Sequence, residues 1–425
     1  MVVEFSNLCN DIQAKLQLAG CLAEKEGVDV YLVGGTVRDL MLNRHITDID
    51  LVVQGDGLSF AKRLAQELKG YYIPHSNFLT ATIKMPDGNI FDIATARSEI
   101  YEKPSTLPRV KPASLRTDLK RRDFTINAMA IALNAKCYGK LIDPFEGRKD
   151  LDGCIVRIIN MRSFIDDPTR IFRAIRFEQR LQFKIEFETR ALLDDAVEKK
   201  MIGELSGARI LEQLKLICLE VDPWLSFRRL EELKVFQGIN SNIVIDKNLK
   251  LLISQVCKFK KIGFSKKENG WVLVLIALLK PWKVDILKVI LDHLNPSRRI
   301  RKAIEDMPRW KTVEKAIKTG EIKTPAEFFH RVRAISEITI LFVSLTNNDN
   351  TIRKRCELYY HNHRNLQLSV NGEVLRELNI PEGPVYKKIL DEVLSMKING
   401  DVRSDYDEYT AVQNIWARRK KQMQN

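Results

Sequence analysis

The chain has 425 residues, of which 45% are apolar and 29% charged, and it carries a formal net charge of +14. That length exceeds a single compact core, so about two to four globular domains are expected rather than a fibrous or disordered chain. The longest apolar run, Trp271 to Leu279, is stopped by Lys280 and Pro281, far short of the roughly 20 residues of a membrane-spanning helix, so no membrane partner is expected.

The opening MVVEFSNLCNDIQAKL lacks the basic-then-apolar pattern and small-residue cleavage site of an export signal. Cys9, Cys21, Cys137, Cys154, Cys218, Cys257 and Cys356 are scattered and never in CxxC spacing. The six histidines form no metal-ligand pattern. Free thiols in a reducing, cytoplasmic setting are expected, rather than disulfides or zinc. The excess of positive charge favours a polyanionic partner, with a well-solvated basic surface as the plain alternative.

Up to about residue 150, the runs VDVYLVGG, DIDLVVQG, LTATIKM, NIFDIATA and NAMAIAL have the β-branched and aromatic content of short strands. Between the second and third lies LSFAKRLAQELKG, whose Phe60, Leu64 and Leu68 recur at helical spacing before a stop at Gly70. The first part is therefore expected to be α+β, a small mixed sheet with helices. SEIYEKPSTLPRVKPASLRTDL, residues 98 to 119, with three prolines and mixed charges, reads as a mobile loop rather than an element. After about residue 150 strand signals fade. DDPTRIFRAIRFEQRL, EFETRALLDDAVEKKM, GARILEQLKLICLE, WVLVLIALL and KVDILKVILDHL are helical, so the remainder is expected to be all-α. Pro281, Pro296, Pro308 and Pro325 punctuate it, a loop is expected over 346 to 351, and the closing WARRKKQMQN reads as a frayed, charged terminus, with contact to RNA phosphates as the alternative.

Two features carry chemistry. Gly34 and Gly35 sit between a strand and a helix, where glycine lets the backbone approach an anion and present N–H groups to it. A tight turn explains the pair equally well. Asp48 and Asp50 flank Ile49, so in a strand both carboxylates lie on one face while Ile49 enters the core. Such close like charges are relieved by a hard cation such as Mg²⁺. Asp92, in NIFDIATAR, is a third acid that completes the site if its strand lies beside that of Asp50; a strand-end acid paired with Arg97 is the plain alternative.

The wording LVGGTVRDLML…DIDLVV resembles the first signature of the class II tRNA nucleotidyltransferase and poly(A) polymerase family, within the DNA polymerase β-like nucleotidyltransferases. RRDFTINAMA, LIDPFEGRKDLDG, DDPTRIFRAIRF and SGARILEQL follow in the family's order over the first half of the chain. LSVNGEVLRELNIPEGPVYKKILDEV resembles its tail segment, although Val374 stands where the family often has Asp and Asn379 where Gly is usual. The resemblance implies a nucleotidyltransferase head over 1–150, a helical neck over 151–225, a body over 226–345 and a tRNA-contacting tail over 346–425. It implies template-independent addition of C and/or A from CTP or ATP to the 3′ end of tRNA, with attack of the RNA 3′-hydroxyl on the α-phosphate and release of pyrophosphate.

On this reading Asp48 and Asp50 bind Mg²⁺, with Asp92 joining them in catalysis. Gly34, Gly35 and Arg38 contact the nucleotide, and Arg121, Arg122, Asp123 and Asn127 meet its ribose and phosphates. Asp167 and Arg170, taken as i and i+3 on one helix, read the amino-plus-acceptor edge shared by C and A. Arg173 and Arg176 continue at the same spacing toward phosphate or base. A structural helix with Ile171, Ile175 and Phe177 inward is compatible with this role. The loop over 98 to 119 matches the family's flexible loop, which leans against a strictly CC-adding enzyme. Partial enzymes adding only CC or only A, a bacterial-type poly(A) polymerase and a non-catalytic RNA-binding protein stay as alternatives, and no feature specifies an oligomeric state.

Overall fold

The short β-branched runs of the N-terminal part pair with one another. In this computed structural model, which describes residues 1–5, 8–46, 48–100, 105, 108–240, 243, 245–260, 267–279 and 284–424, they form strands β1 (Asp29–Val33), β2 (Asp48–Gln54), β3 (Tyr71–His75), β4 (Thr80–Lys84), β5 (Ile90–Thr95), β6 (Arg97–Ile100), β7 (Arg109–Pro112), β8 (Ala130–Ala132) and β9 (Leu141–Ile142). Seven make one mixed sheet in the order β3-β4-β5-β2-β1-β8-β9. Its one parallel pair is β2 with β5, in a register that sets Asp50 beside Asp92. Helices α1 (Asn10–Glu26) and α3 (Gly57–Glu67) pack on the sheet, while the short α2 (Gly35–Met41) packs against β1 and β2. Phe60 and Leu64 of α3 are fully buried, as their spacing predicts. Asp56 caps α3 by accepting from the Leu58 and Ser59 backbone N–H groups, each at 3.1 Å.

The stretch read as a mobile loop is corrected. Residues 101–104, 106 and 107 lie outside the described residues, but β6 and β7 flank them as an antiparallel ribbon with Arg97 opposite Pro112. Helix α4 (Leu115–Lys120) follows, capped by Ser114. Prolines are admitted because this ribbon is two-stranded and exposes edges that need no donor.

Beyond the sheet come α5 (Gly147–Asp152), α6 (Ser163–Asp166), α7 (Thr169–Leu181), α8 (Phe187–Glu198) and α9 (Gly207–Cys218). The two-residue strands β10 (Ile155–Val156) and β11 (Lys184–Ile185) pair in parallel. A single helix over 166 to 177 was expected. Instead Pro168 forces Asp167 into an extended backbone, φ −139° and ψ 90°, which separates α6 from α7.

Internal contacts divide the chain into two compact units, Met1–Gln213 with Leu225–Ile243, and Leu214–Trp224 with Val244–Asn425. The elements of the second unit are helices, and no described helix is long and apolar enough to cross a membrane. Pro325 starts the helix Pro325–Val332, whose Thr324 and Glu327 form a capping box. Pro308 does not punctuate as expected. It lies inside Arg298–Lys318, where buried Ile304, Met307 and Trp310 pack the helix on both sides of it. Toward the C-terminus, fully buried Glu408 accepts from the Ser369 and Val370 backbone and pairs with Lys397. Asn379 has φ +53°, the left-handed region that Asn tolerates best after glycine. The closing segment is helical to Gln424, with Arg418 and Arg419 paired to Glu392, so the expected frayed end is corrected as well.

Candidate active site

The pairing of β2 with β5 sets Asp50 beside Asp92, with Asp48 two residues earlier on β2. Along β2, Asp48 is exposed, Ile49 is buried and Asp50 is half-buried, the alternation a pleated strand dictates. Asp92 on β5 is exposed and accepts from Thr82 Oγ1 at 2.6 Å; Arg97 instead pairs with Glu99 at 3.4 Å. Thr36 of α2 ties the site to β2, accepting from the Asp50 backbone N–H at 3.0 Å. Burial pushes the Asp50 carboxyl up to about 6; the Arg122 guanidinium opposes the rise, while the charges of Asp92 and Asp48 add to it. Among the described residues no three His, Cys, Asp or Glu side chains converge as a metal-holding group. Asp50 and Asp92, in register across β2 and β5, are hard carboxylates of the kind that suits a divalent cation completing its shell with phosphate oxygens.

Beside these acids lies a cavity of about 630 Å³ lined by nine arginines and four acids. Its wall contains Gly34, Gly35, Arg38, Asp50, Arg121 and Arg122. Asp123, Asn127, Asp167, Arg170, Arg173 and Arg176 complete the set expected to contact the nucleotide. Asp92 lines an adjoining hollow with Asp50 and Arg122, and Asp48 lines neither.

Gly34 has φ +69° and ψ −133° at the start of α2, a conformation open to glycine. A Cβ there would stand 2.7 Å from Arg122 Nη1 and 3.7 Å from Asp50 Oδ2. At Gly35 it would meet only Arg38, at 3.5 Å, so the protein itself does not demand glycine there.

One hydrogen-bonded chain orders the far wall. Arg38 bonds Asp39 at 2.7 Å and donates to Asn127 Oδ1 at 2.6 Å. Asn127 Nδ2 donates to Asp123 Oδ1 at 3.0 Å, and Arg173 Nε donates to Asp123 Oδ2 at 2.6 Å. Burial pushes the Asp123 carboxyl up, but Arg173, Asn127 and Arg170 outweigh it and hold it at about 2. Phe177 serves as a common platform, with Arg38, Arg173 and Arg176 at 5.0, 5.5 and 5.7 Å from its ring centre. Asp167 Oδ1 accepts from Thr169 N at 3.0 Å, Thr169 Oγ1 at 2.5 Å and Arg209 Nη2 at 2.7 Å. Arg170 donates to Ser163 Oγ at 2.7 Å and the Arg121 carbonyl at 2.8 Å. Asp167 and Arg170 thus share a pocket without sharing a helix face.

Residues 30–157 match the poly A polymerase head domain family. The chain is 33% identical to the A-adding tRNA nucleotidyltransferase of Halalkalibacterium halodurans, over 90% of this chain and 88% of that protein. The chain belongs to the tRNA nucleotidyltransferase family. It is also 34% identical to the A-adding enzyme of Geobacter sulfurreducens over 93% of this chain, although it spans only 46% of that protein's length. Among solved structures it is similar to a Thermotoga maritima CCA-adding enzyme complexed with tRNA, with TM-score 0.67 and 30% identity over 96% and 97% of the two chains.

Within this tRNA nucleotidyltransferase fold, several pocket residues escaped the sequence reading, Arg209, Phe177 and Arg180 among them. Arg209, in the quoted SGARILEQL, anchors Asp167 and the Ser105 carbonyl. Phe177 was assigned to the core alone, and Arg180 was not singled out. Arg180, four residues after Arg176, falls on the same side of a helix, and that spacing was the available signal for it.

Proposed function

We propose that this chain adds A, from ATP, to the 3′ end of tRNA ending in CC, acting in the cytoplasm. The observation that carries nucleotidyl transfer is the arginine-lined pocket at the end of β2, where Asp50 meets Asp92 in register. The likeness to two A-adding enzymes supports the choice of A. The likeness to a CCA-adding enzyme favours a second reading, in which CTP is also used and the whole CCA end is built.

The nine arginines lining the cavity outnumber its four acids, and the excess supplies countercharge for a triphosphate. Gly35 presents its backbone N–H at the start of α2, the Gly34 N–H being given to the Met129 carbonyl at 3.4 Å, with Arg38 held in place by Asp39 and Asn127. Asn127 keeps an amide N–H and a carbonyl lone pair beyond its bonds to Asp123 and Arg38, enough to contact a ribose 2′-hydroxyl. Asp167 Oδ2, outside the bonds that engage Oδ1, accepts from the amino group of the base, and Arg170 donates to the neighbouring ring acceptor. Arg173, Arg176 and Phe177 form a cationic, aromatic floor for base and phosphates. Asp48 and Asp50, with Asp92 nearby, would hold a Mg²⁺ ion, which would supply positive charge beside the 3′-hydroxyl and the pyrophosphate. Residues 1–150 act as the catalytic head, 151–225 as the selecting neck, 226–345 as the body and 346–425 as the tRNA-contacting tail.

The test uses three tRNA transcripts, ending before CCA, after the first C and after CC, each with Mg²⁺ and single or mixed nucleotides. Extension of the CC-ended transcript alone, by one A, is expected. Growth of all three to CCA selects the second reading, and no extension of any refutes both.

A further inference from the structure

Asp118 lies on α4, upstream of the RRDFTINA segment, and its side chain is fully buried. Its Oδ1 accepts from Arg121 Nε at 3.0 Å, from Arg121 Nη2 at 2.6 Å and from the Arg97 backbone N–H at 3.2 Å. Its Oδ2 accepts from Arg122 Nε at 3.2 Å and Nη2 at 3.0 Å. One carboxylate therefore grips two guanidiniums, each through a pair of N–H groups, because positions i+3 and i+4 both fall over it. Arg121 is braced further by Glu99 at 2.7 Å. Arg97, Arg121 and Arg122 against Asp118 and Glu99 leave one positive charge in excess.

The excess charge has a direction. With Nε and Nη2 of Arg122 committed to Asp118, Nη1 is carried into the gap at Gly34, donating to the Asn127 carbonyl at 3.4 Å. The point where a Cβ on Gly34 would stand lies within 3.7 Å of both that nitrogen and Asp50 Oδ2. An arginine side chain left to itself samples many rotamers, and ordering it on binding costs free energy that a rigid mount removes beforehand.

We propose that Asp118 is a positioning residue for triphosphate binding, which locks Arg122 beside Gly34 and Asp50 before the nucleotide arrives. The role rests on the assignment of the arginine-lined pocket to a nucleoside triphosphate. A carboxylate serving only to pin α4 to β6 has a different signature, since its loss would not depend on Arg122.

The test measures binding of ATP, and of AMP by competition, to the wild-type chain, Asp118→Asn, Arg122→Ala and the double variant. Asp118→Asn weakens ATP binding by at least ~10-fold, from the loss of a preorganised charge-assisted contact, with AMP binding changed far less. In the Arg122→Ala background the same substitution adds clearly less, the remainder being its looser hold on Arg121. ATP binding unchanged by Asp118→Asn, or an equal loss in both backgrounds, overturns the role. Should Asp118→Asn fail to fold, ¹⁵Nε-arginine-labelled wild-type chain gives the answer instead. An Arg122 Nε–H signal protected from exchange before ATP is added supports the mount, and one exchanging freely refutes it. A wild-type chain that binds no ATP overturns the pocket's assignment and this role with it, whereas the other failures touch Asp118 alone.

Discussion

Gly34→Ala separates strain from chemistry at the start of α2. At φ +69° and ψ −133°, an alanine incurs roughly 1–3 kcal/mol of backbone strain. Its Cβ would also stand 2.7 Å from Arg122 Nη1, so the guanidinium must turn away from Asp118, whose bonds to it measure 3.0 and 3.2 Å. A charge-assisted bond of this kind contributes about 1.5–3 kcal/mol, and its partial loss brings the expected destabilisation to about 2–4 kcal/mol. Calorimetry of the variant should show the transition of the catalytic unit lowered by roughly 5–12 °C. The KM for ATP should rise ~10–100-fold as Arg122 leaves the phosphate side of the pocket. Gly35→Ala is the contrasting control, because its Cβ meets only Arg38 at an ordinary 3.5 Å. That variant should keep its melting temperature while still losing ATP affinity, if the triphosphate approaches the backbone there. A Gly34→Ala chain with wild-type melting and wild-type KM would refute both the strain and the placement of Arg122.

The remaining expectations are more compact. Asp50→Asn should reduce nucleotide transfer ~10²–10³-fold or more with little loss of fold, measured by single-turnover extension of CC-ended tRNA; EDTA should abolish the wild-type reaction and added Mg²⁺ restore it. Asp123, held at about 2 against an ordinary 3.8, has a depressed folded-state value, so its contribution of ~2 kcal/mol is present above pH ~4 and is lost as the pH falls toward 2. Urea unfolding of wild type and Asp123→Asn should therefore differ at pH 7 and converge near pH 2, and a gap that persists at low pH would contradict the assignment. Arg209→Ala should leave Asp167 Oδ1 held by Thr169 alone and raise incorporation of U and G relative to A by ~10-fold in single-nucleotide assays, on the scale of one charged hydrogen bond.

What was legible in the sequence follows the range of the interactions involved. Strands and α3 were readable because hydrophobic periodicity is local: Phe60 and Leu64 bury themselves four residues apart whatever else the chain does. The i, i+2 pairing of Asp48 with Asp50 is equally local. That Asp92 would stand beside Asp50 required the parallel register of β2 with β5, which sequence made plausible and pairing alone decides. The misread helix at 166 had a local signal that went unused. The Asp-Pro bond at 167 drives its first residue out of the helical region, and that break frees Asp167 from the face of α7 so that Thr169 and Arg209 can hold it. The ribbon of β6 and β7 was missed for the opposite reason, since proline counts against strands in a sheet interior but not along an exposed edge. Asp118 shows a third case. Its spacing to Arg121 and Arg122 was visible as D-x-x-R-R, but the same spacing on a solvated helix surface contributes only a few tenths of a kcal/mol. Complete burial turns it into a mount, and α4 packs here against β6, whose Arg97 N–H donates to Asp118. A charged pair at helical spacing therefore acquires a function through the desolvation that surrounds it, and desolvation is a property of the assembled fold.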